Sequence, residues 1–172
     1  MAEAPVVTLR ARTPADLDVL YGIASDLDTW EERDPSAPGP VPRQRYDAQA
    51  TAAATSYRDD VFFVVDVDGE PVGSATLFGF DALARHAEAG ISLAAGHRGR
   101  GVGTEALRQL VEFGFTRRNL RRIHLQAIAS NTGALRAYAK VGFVEEGRRR
   151  EHAWVRGAYE DVVVMGLLRA DR

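Results

Sequence analysis

Short segments of this chain alternate hydrophobic and polar residues, and that period of two predicts β-strands. Seven segments show the alternation or are rich in β-branched and aromatic residues. They are Val6–Arg10, Val61–Val67, Val72–Phe80, Glu88–Leu93, Arg122–Ile128, Arg149–Val155 and Val162–Leu168. The dipeptides Asp68-Gly69 and Arg156-Gly157 each lie between two of these strands and predict tight hairpin turns.

Apolar residues spaced three and four positions apart predict four helices between the strands. The first begins at Thr13, because threonine is a favoured N-cap and Pro14 suits the first helical position. The other three are Tyr46–Tyr57, which is rich in alanine, Thr104–Phe115 and Asn131–Val141. Four of the seven prolines fall in residues 35–42, so that segment is predicted to be a loop. The order of the elements predicts an α/β fold with a mixed sheet.

Composition narrows the classes of function. The 172 residues suit one domain, 1–172, with residues 1–5 as a loose tail. The chain has no cysteine, which excludes disulfides, thiolate metal sites and cysteine nucleophiles. The net charge of −2 argues against nucleic-acid binding, and the four histidines lack the spacing of metal ligands, so we expect neither nucleic acid nor metal. No membrane span or signal peptide is visible, which predicts a cytoplasmic protein that does not bind membranes.

A glycine-rich bend lies between the strand Glu88–Leu93 and the helix Thr104–Phe115. Glycines at 99, 101 and 103 allow a tight turn that points several backbone N–H groups to one side. The start of the helix adds its positive dipole end, and Arg98 and Arg100 add positive charge. These features predict an anion site suited to a pyrophosphate, although a plain glycine-rich connection has the same composition.

Two motifs resemble those of the GNAT superfamily of N-acetyltransferases. Arg98-x-x-Gly101-x-Gly103 is similar to the first signature, Arg/Gln-x-x-Gly-x-Gly/Ala. The segment Asn131–Phe143 is similar to the second, Asn-x-x-Ala-x-x-x-Tyr-x-Lys-x-Gly-Phe. The motifs occur in the family's order with a helix and a strand between them, and the resemblance covers roughly residues 60–168. The segment Glu146–Met165 resembles the branch that holds the RimJ/RimL-type protein N-terminal acetyltransferases and the spermidine acetyltransferases.

This resemblance implies an α/β mixed sheet of about seven strands, splayed between the fourth and fifth, with about four flanking helices. It also implies acetyl-CoA as co-substrate, bound along the splayed strand, the glycine-rich bend and the second motif. The residues concerned are Ile91, Leu93, Arg98, Gly99, Arg100, Gly101, Val102, Gly103, Thr104, Asn131, Ala134 and Tyr138. Asn131 also suits the N-cap of its helix, and the two roles are compatible. The branch favours a homodimer.

Acetyl transfer to an amine needs a neutral amine, a stabilised oxyanion and a proton for the departing thiolate. By the resemblance, Tyr138 is the candidate proton donor and Glu88 the candidate base, and a backbone N–H near Leu93 is the candidate oxyanion donor. The alternatives are a half-buried core tyrosine and an exposed carboxylate at a strand end. An α-amine, with an ordinary pKa of about 8, needs no dedicated base.

Trp30, Glu31 and Glu32 follow the first predicted helix, where this branch lines its acceptor pocket. An aromatic ring and two acids can bind a cationic amine, although a solvated acidic turn with one packed tryptophan has the same sequence. We therefore expect an acetyl-CoA-dependent N-acetyltransferase acting by direct attack in a ternary complex. Its acceptor would be a protein N-terminus or a small amine such as a polyamine. The alternative is a non-catalytic acyl-CoA-binding or sensor domain on the same fold.

Overall fold

The computed structural model describes residues 5–33, 39–55 and 60–172, and these form one seven-stranded sheet with helices packed against it. The strands are β1 (Val7–Arg10), β2 (Val61–Val67), β3 (Glu70–Asp81), β4 (His86–Leu93), β5 (Arg122–Ile128), β6 (Val144–Val155) and β7 (Ala158–Leu168). The helices are α1 (Leu17–Ser25), α2 (Leu27–Arg33), α3 (Arg43–Thr55), α4 (Val102–Thr116) and α5 (Thr132–Val141). The strand order is β1-β2-β3-β4-β5-β7-β6. The predicted α/β fold with a seven-stranded mixed sheet is confirmed.

The only parallel pairing in the described sheet joins β4 to β5, and α4 supplies the crossover that a parallel pair requires. This pairing is short: His86, Ala87 and Glu88 lie beside residues 122–124. Strand β4 then continues to Leu93 and β5 to Ile128 without further pairing to each other. The two strands therefore part at Glu88, which confirms the predicted splay between strands four and five.

Helix α4 covers one face of the sheet with an apolar stripe of buried side chains. The stripe consists of Val102, Ala106, Leu107, Leu110, Val111 and Phe115. It packs in a single core with Ala87 and Ala89 of β4 and with Ile123 and Leu125 of β5. Because side chains alternate along a strand, the residues between these point to the opposite face.

Helices α1 and α2 pack on the opposite face, where α1 contacts β3 and α2 contacts β5. Leu20 and Ala24 of α1 are buried there, outside the core that α4 covers. The sheet thus carries α4 on one face and the α1–α2 pair on the other. Glu88 lies at the point where the strands part, on the α1–α2 face.

Helix α2 is one helix more than the sequence predicted. Asp26 ends α1 with an extended backbone, and its carboxylate accepts a hydrogen bond from the Thr29 N–H at 2.7 Å. That bond caps the first turn of α2. Glu31 and Glu32 therefore lie on a helix rather than on a solvated turn, and Ser25-Asp26 is the start signal that sequence reasoning missed.

Strand β6 begins at Val144, five residues before the predicted start. It is an edge strand of the sheet, and nearly all its side chains are exposed, so it lacks an alternating pattern. A bulge between Arg149 and Ala153 further interrupts its register with β7. Most of the predicted tail and the start of the proline-rich loop, residues 34–38, lie outside the described residues.

No helix in the described part of the chain is long and apolar enough to cross a membrane.

Candidate active site

The glycine-rich bend forms a cradle of backbone N–H groups. Gly99 and Gly101 adopt left-handed backbone conformations, with φ of 71° and 85°, which side chains disfavour. Helix α4 then begins at Val102, and the first N–H used within it is that of Glu105, bonded to the Gly101 carbonyl at 3.0 Å. Within the described residues, the six N–H groups from Gly99 to Thr104 have no partner. Such a cradle at a helix N-terminus fits a phosphate or pyrophosphate.

The backbone N–H and the guanidinium of Arg98, which the sequence assigned to the anion site, are engaged by other groups of the chain. Its backbone N–H donates to the Ala95 carbonyl at 3.2 Å, so it does not belong to the cradle. Its guanidinium donates to the Leu93 carbonyl at 3.0 Å and to the Thr29 hydroxyl at 2.7 Å. It also pairs with Glu32 at 3.2 Å. Arg98 therefore joins the end of β4 to α2.

Arg100 keeps its charge available beside the cradle. It is exposed, and no hydrogen bond or ion pair joins it to another described residue. Of the two arginines that the sequence assigned to the anion site, Arg100 is the one with a free guanidinium.

Strand β4 exposes backbone groups to the gap beyond Glu88. The Ala94 N–H donates to the Val72 carbonyl at 2.9 Å, and Gly73 lies opposite Leu93. In an antiparallel pair, hydrogen-bonded and non-hydrogen-bonded positions alternate. Ile91 and Leu93 therefore point their N–H groups away from β3, towards the gap that β5 has left. An extended ligand can add to such an edge as a further strand does.

Glu88 is held in a hydrogen-bonded position rather than at an exposed strand end. Its side chain is 21% exposed. One carboxylate oxygen accepts a hydrogen bond from the Gln126 side chain at 2.8 Å, and the other lies 3.7 Å from Nε2 of His124. Both partners are on β5, so the candidate base is fixed across the last paired residues of the two strands.

Tyr138 lies on α5, on the side of the sheet that α4 covers. Its half-buried ring packs against the core and lies 6.3 Å from the Phe143 ring, centroid to centroid. This burial raises the pKa of Tyr138 to about 12. No described residue forms a hydrogen bond with its hydroxyl, which stays protonated at neutral pH. Its packing in the core is thus compatible with proton donation.

Asn131 caps α5, as the alternative interpretation of that residue predicted. Its side-chain oxygen accepts a hydrogen bond from the Ala134 N–H at 3.1 Å. The side-chain NH₂ group has no partner among the described residues, so a capping Asn131 can still donate to a ligand.

The acids of α2 are paired with arginines. Arg156, at the tip of the β6–β7 hairpin, lies 3.1 Å from Glu32, 3.4 Å from Asp28 and 3.8 Å from Glu31. Much of the negative charge predicted for an acceptor pocket is therefore balanced within the chain. The side chain of Trp30 lies outside the described residues.

Two residues of this region escaped the sequence analysis. Ser92 is buried, and its hydroxyl has no partner among the described residues. Ser92 lies on the same face of β4 as Glu88 and Gly90. The alternation of side chains along a strand could have revealed this placement from the sequence. Arg156 has a left-handed backbone (φ 49°) in its turn, and no sequence signal joins it to α2.

The described residues contain no group of three or more His, Asp or Glu side chains arranged to hold a metal ion.

Comparison with known proteins gives a consistent family. The profile described as "Acetyltransferase (GNAT) domain" matches residues 7–144. Among curated proteins, the spermidine N(1)-acetyltransferase of Vibrio cholerae is 27% identical over 170 residues, covering 95% of this chain and 94% of that protein. The putative ribosomal N-acetyltransferase YdaF of Bacillus subtilis is 32% identical over 104 residues, covering 60% of this chain and 57% of that protein.

Two solved structures are similar over nearly the whole chain. One is the spermidine N-acetyltransferase of Vibrio cholerae in complex with CoA and spermine, with a TM-score of 0.87, 25% identity and 96% coverage of both chains. The other is Mycobacterium smegmatis RimJ in complex with CoA-disulfide, with a TM-score of 0.85 and 26% identity. That match covers 98% of this chain and 84% of the other.

Replacing Arg98 by methionine should loosen α2. The variant keeps the aliphatic stem but removes the guanidinium, and the buried Thr29 hydroxyl loses its partner, which costs about 1–3 kcal/mol. We expect faster amide exchange in α2, measured by hydrogen exchange with mass spectrometry. Arg100→Met is the matched control from the same bend. Equal exchange of α2 in the two variants would contradict the bridging role of Arg98.

Proposed function

We propose, from the premise that this chain belongs to the acetyltransferase (GNAT) family, that it transfers an acetyl group from acetyl-CoA to a primary amine by direct attack in a ternary complex. The acceptor is a protein N-terminus or a small amine such as a polyamine. The observation that carries the proposal is the gap between β4 and β5, which has free backbone N–H groups along one edge and the phosphate cradle at its end.

The donor would lie along this gap. The N–H groups from Gly99 to Thr104 would hold its pyrophosphate, with Arg100 nearby. The backbone of Ile91 would pair with an amide group of the pantetheine arm. Arg98 already engages the Leu93 carbonyl, and the Leu93 N–H would face the thioester oxygen. The free NH₂ of Asn131 would donate to the same arm, and the small Ala134 would leave room for it. Acetyl-CoA supplies the thioester that the amine attacks.

The chain supplies two proton transfers and one hydrogen-bond donor for the oxyanion. Glu88 accepts the proton that the ammonium loses, directly or through a water molecule, so that the nitrogen can form its bond to the carbonyl carbon. The N–H of Leu93 stabilises the negative charge on the oxygen. As the carbon–sulfur bond breaks, Tyr138 gives its proton to the sulfur. Glu88 and Tyr138 approach from opposite faces of the sheet, one on the side of the amine and one on the side of the thiol.

The acceptor would lie against α2, near Trp30, Glu31 and Glu32. A protein N-terminus carries one positive charge at this point, whereas a polyamine carries several. Because Arg156 pairs with the acids of α2, a polyamine must compete with an internal guanidinium for the same carboxylates.

We further propose that the protein works in the cytoplasm as a homodimer. The support for the dimer is a pair of exposed aromatic side chains on the β6–β7 hairpin, Trp154 and Tyr159, whose ring centroids lie 4.8 Å apart. Exposed aromatic residues of this size are enriched at interfaces.

The second candidate function is an acyl-CoA sensor that binds the donor without turnover. The same gap and cradle serve both functions, since binding alone needs no more. The placement of Glu88 and Tyr138 on opposite faces of the gap favours the enzyme, because a sensor does not need a base and a proton donor.

A thiol-release assay with acetyl-CoA tests the function directly. The panel contains spermidine, an aminoglycoside and peptides with Ala, Ser or Leu at the N-terminus. We expect release of CoA with at least one of these classes and no release without an amine. CoA binding measured by calorimetry, with no release for any amine, would favour the sensor instead.

Replacing Arg156 by alanine should improve the use of polyamines. The substitution frees the acids of α2, so we expect a lower KM for spermidine and little change for a peptide α-amine. Arg150→Ala removes an equal charge from the same hairpin and serves as the control. An unchanged KM for spermidine would show that the α2 acids do not bind the acceptor.

Replacing Tyr138 by phenylalanine should slow turnover about 100-fold while leaving the Kd for CoA unchanged, because the ring still packs in the core. The Tyr159→Phe variant, in which an exposed tyrosine of the hairpin loses its hydroxyl, should keep the wild-type rate. Steady-state kcat and a calorimetric Kd give the two readouts. A wild-type kcat for the Tyr138 variant would remove the tyrosine from the mechanism.

A further inference from the structure

Two histidines lie behind Glu88 on the same face of the sheet, and the reaction described above does not use them. His124 is on β5, directly opposite Glu88 in the last pair before the strands part. His86 is on β4, two residues before Glu88, and its ring lies 5.3 Å from the His124 ring in an edge-to-face arrangement. The Nδ1 atom of His86 is buried and has no hydrogen-bond partner among the described residues.

The Glu88 carboxylate is oriented towards His124 by its neighbours. Gln126 donates to one carboxylate oxygen at 2.8 Å, and Arg149 in turn donates to the Gln126 side-chain oxygen at 3.1 Å. The second carboxylate oxygen is left facing Nε2 of His124, at 3.7 Å. This distance is longer than a hydrogen bond, so contact needs a small side-chain rotation or one bridging water molecule.

The surroundings of His124 favour its uncharged form. Burial lowers its pKa below the ordinary value for histidine, and Arg122 on the same strand and His86 on β4 act in the same direction. Glu88 on β4 and Glu146 on β6 oppose this shift. The Nε2 atom faces Glu88, and it can accept a proton only in the tautomer whose N–H is at Nδ1.

We propose that His124 receives the proton that Glu88 removes from the acceptor amine, and so returns Glu88 to its ionised form. The inference rests on the proposed function and adds a positioning residue to it. The ammonium N–H bond breaks and an O–H bond forms on Glu88. That O–H bond then breaks as an N–H bond forms on Nε2 of His124.

His86 is the next polar side chain towards solvent, and a water molecule would have to bridge its ring to that of His124, because the two rings meet edge to face with their centroids 5.3 Å apart. Its ring lies between His124 and Asp81, with Nε2 4.0 Å from a carboxylate oxygen of Asp81. The Asp81 side chain is 46% exposed, so a proton that reaches it exchanges with water. Glu88, His124, His86 and Asp81 thus extend away from the gap along the α1–α2 face. The α4 face of the sheet, which carries Tyr138, is not involved.

The first test compares His124→Gln with the wild-type enzyme over pH. Glutamine keeps a polar group near Glu88 but cannot accept a proton at these pH values. We expect the rate ratio, variant over wild type, to be near one below the pKa of His124 and to fall to about one tenth at about pH 8. Below its pKa, His124 already carries a proton in the wild-type enzyme and accepts no other. The titration of the acceptor amine cancels in the ratio.

A purely structural role for His124 gives a different result, because a packing defect lowers the rate by the same factor at every pH. A ratio that does not change with pH would overturn the inference. His152→Gln is the matched control: that histidine is exposed on β6, and its ratio should stay near one throughout.

The second test needs no turnover. Histidine ring titrations by long-range proton–nitrogen NMR should give His124 a pKa below the ordinary value, and Glu88→Gln should lower it further by removing a nearby negative charge. An identical pKa for His124 in both proteins would overturn the coupling to Glu88. Absence of thiol release by the wild-type protein with every amine would overturn the proposed function, a result that is separate from the ring titration.

Discussion

Three residue pairs hold β4 beside β5, and the shortness of this pairing determines the rest of the site. A parallel pair that stops after Glu88 leaves backbone groups of the continuing strand without partners. An unsatisfied buried backbone group costs about 1–3 kcal/mol, so such an edge either stays solvated or is completed by a ligand. The apolar layer beneath α4 keeps the two strands fixed in this position, because it packs against both of them. The gap therefore results from the packing of the core as well as from the end of the strand pairing.

The alternation of side chains along β4 separates the chemistry into two compartments. Residues that point to α4 are apolar, and they belong to the core against which the half-buried tyrosine of α5 packs. Residues that point to α1 and α2 are polar, and they bring a carboxylate, two imidazoles and a buried hydroxyl onto one surface. The groups proposed as acid and base therefore have different environments, which is the usual way to hold two groups in opposite protonation states.

Much of the fold follows from local signals. The hairpin at Asp68-Gly69, the cap at Asn131 and the left-handed end of α5 at Gly142 are each specified by a few neighbouring residues. The glycines of the cradle belong to the same class, since their backbone conformations depend on the absence of a side chain. The two GNAT-like motifs occur in the family's order, and this order predicts the arrangement of the strands and helices around them.

The features that sequence did not predict depend on contacts between distant segments. Arg98 belongs to a recognisable motif, yet its guanidinium binds residues nearly seventy positions earlier in the chain. Arg156 contacts α2 from the opposite end of the sequence. An exposed edge strand such as β6 has no buried face, so its sequence does not alternate hydrophobic and polar residues. Glu32 lies between these two arginines, 3.2 Å from one and 3.1 Å from the other. A donor that displaced the Arg98 side chain would change the charge around Glu32 and hence the affinity of the proposed acceptor site on α2, and the acceptor would change the affinity for the donor by the same factor. Couplings of this kind are typically about 1–3 kcal/mol, so each ligand would alter the affinity of the other by about 5-fold to 150-fold.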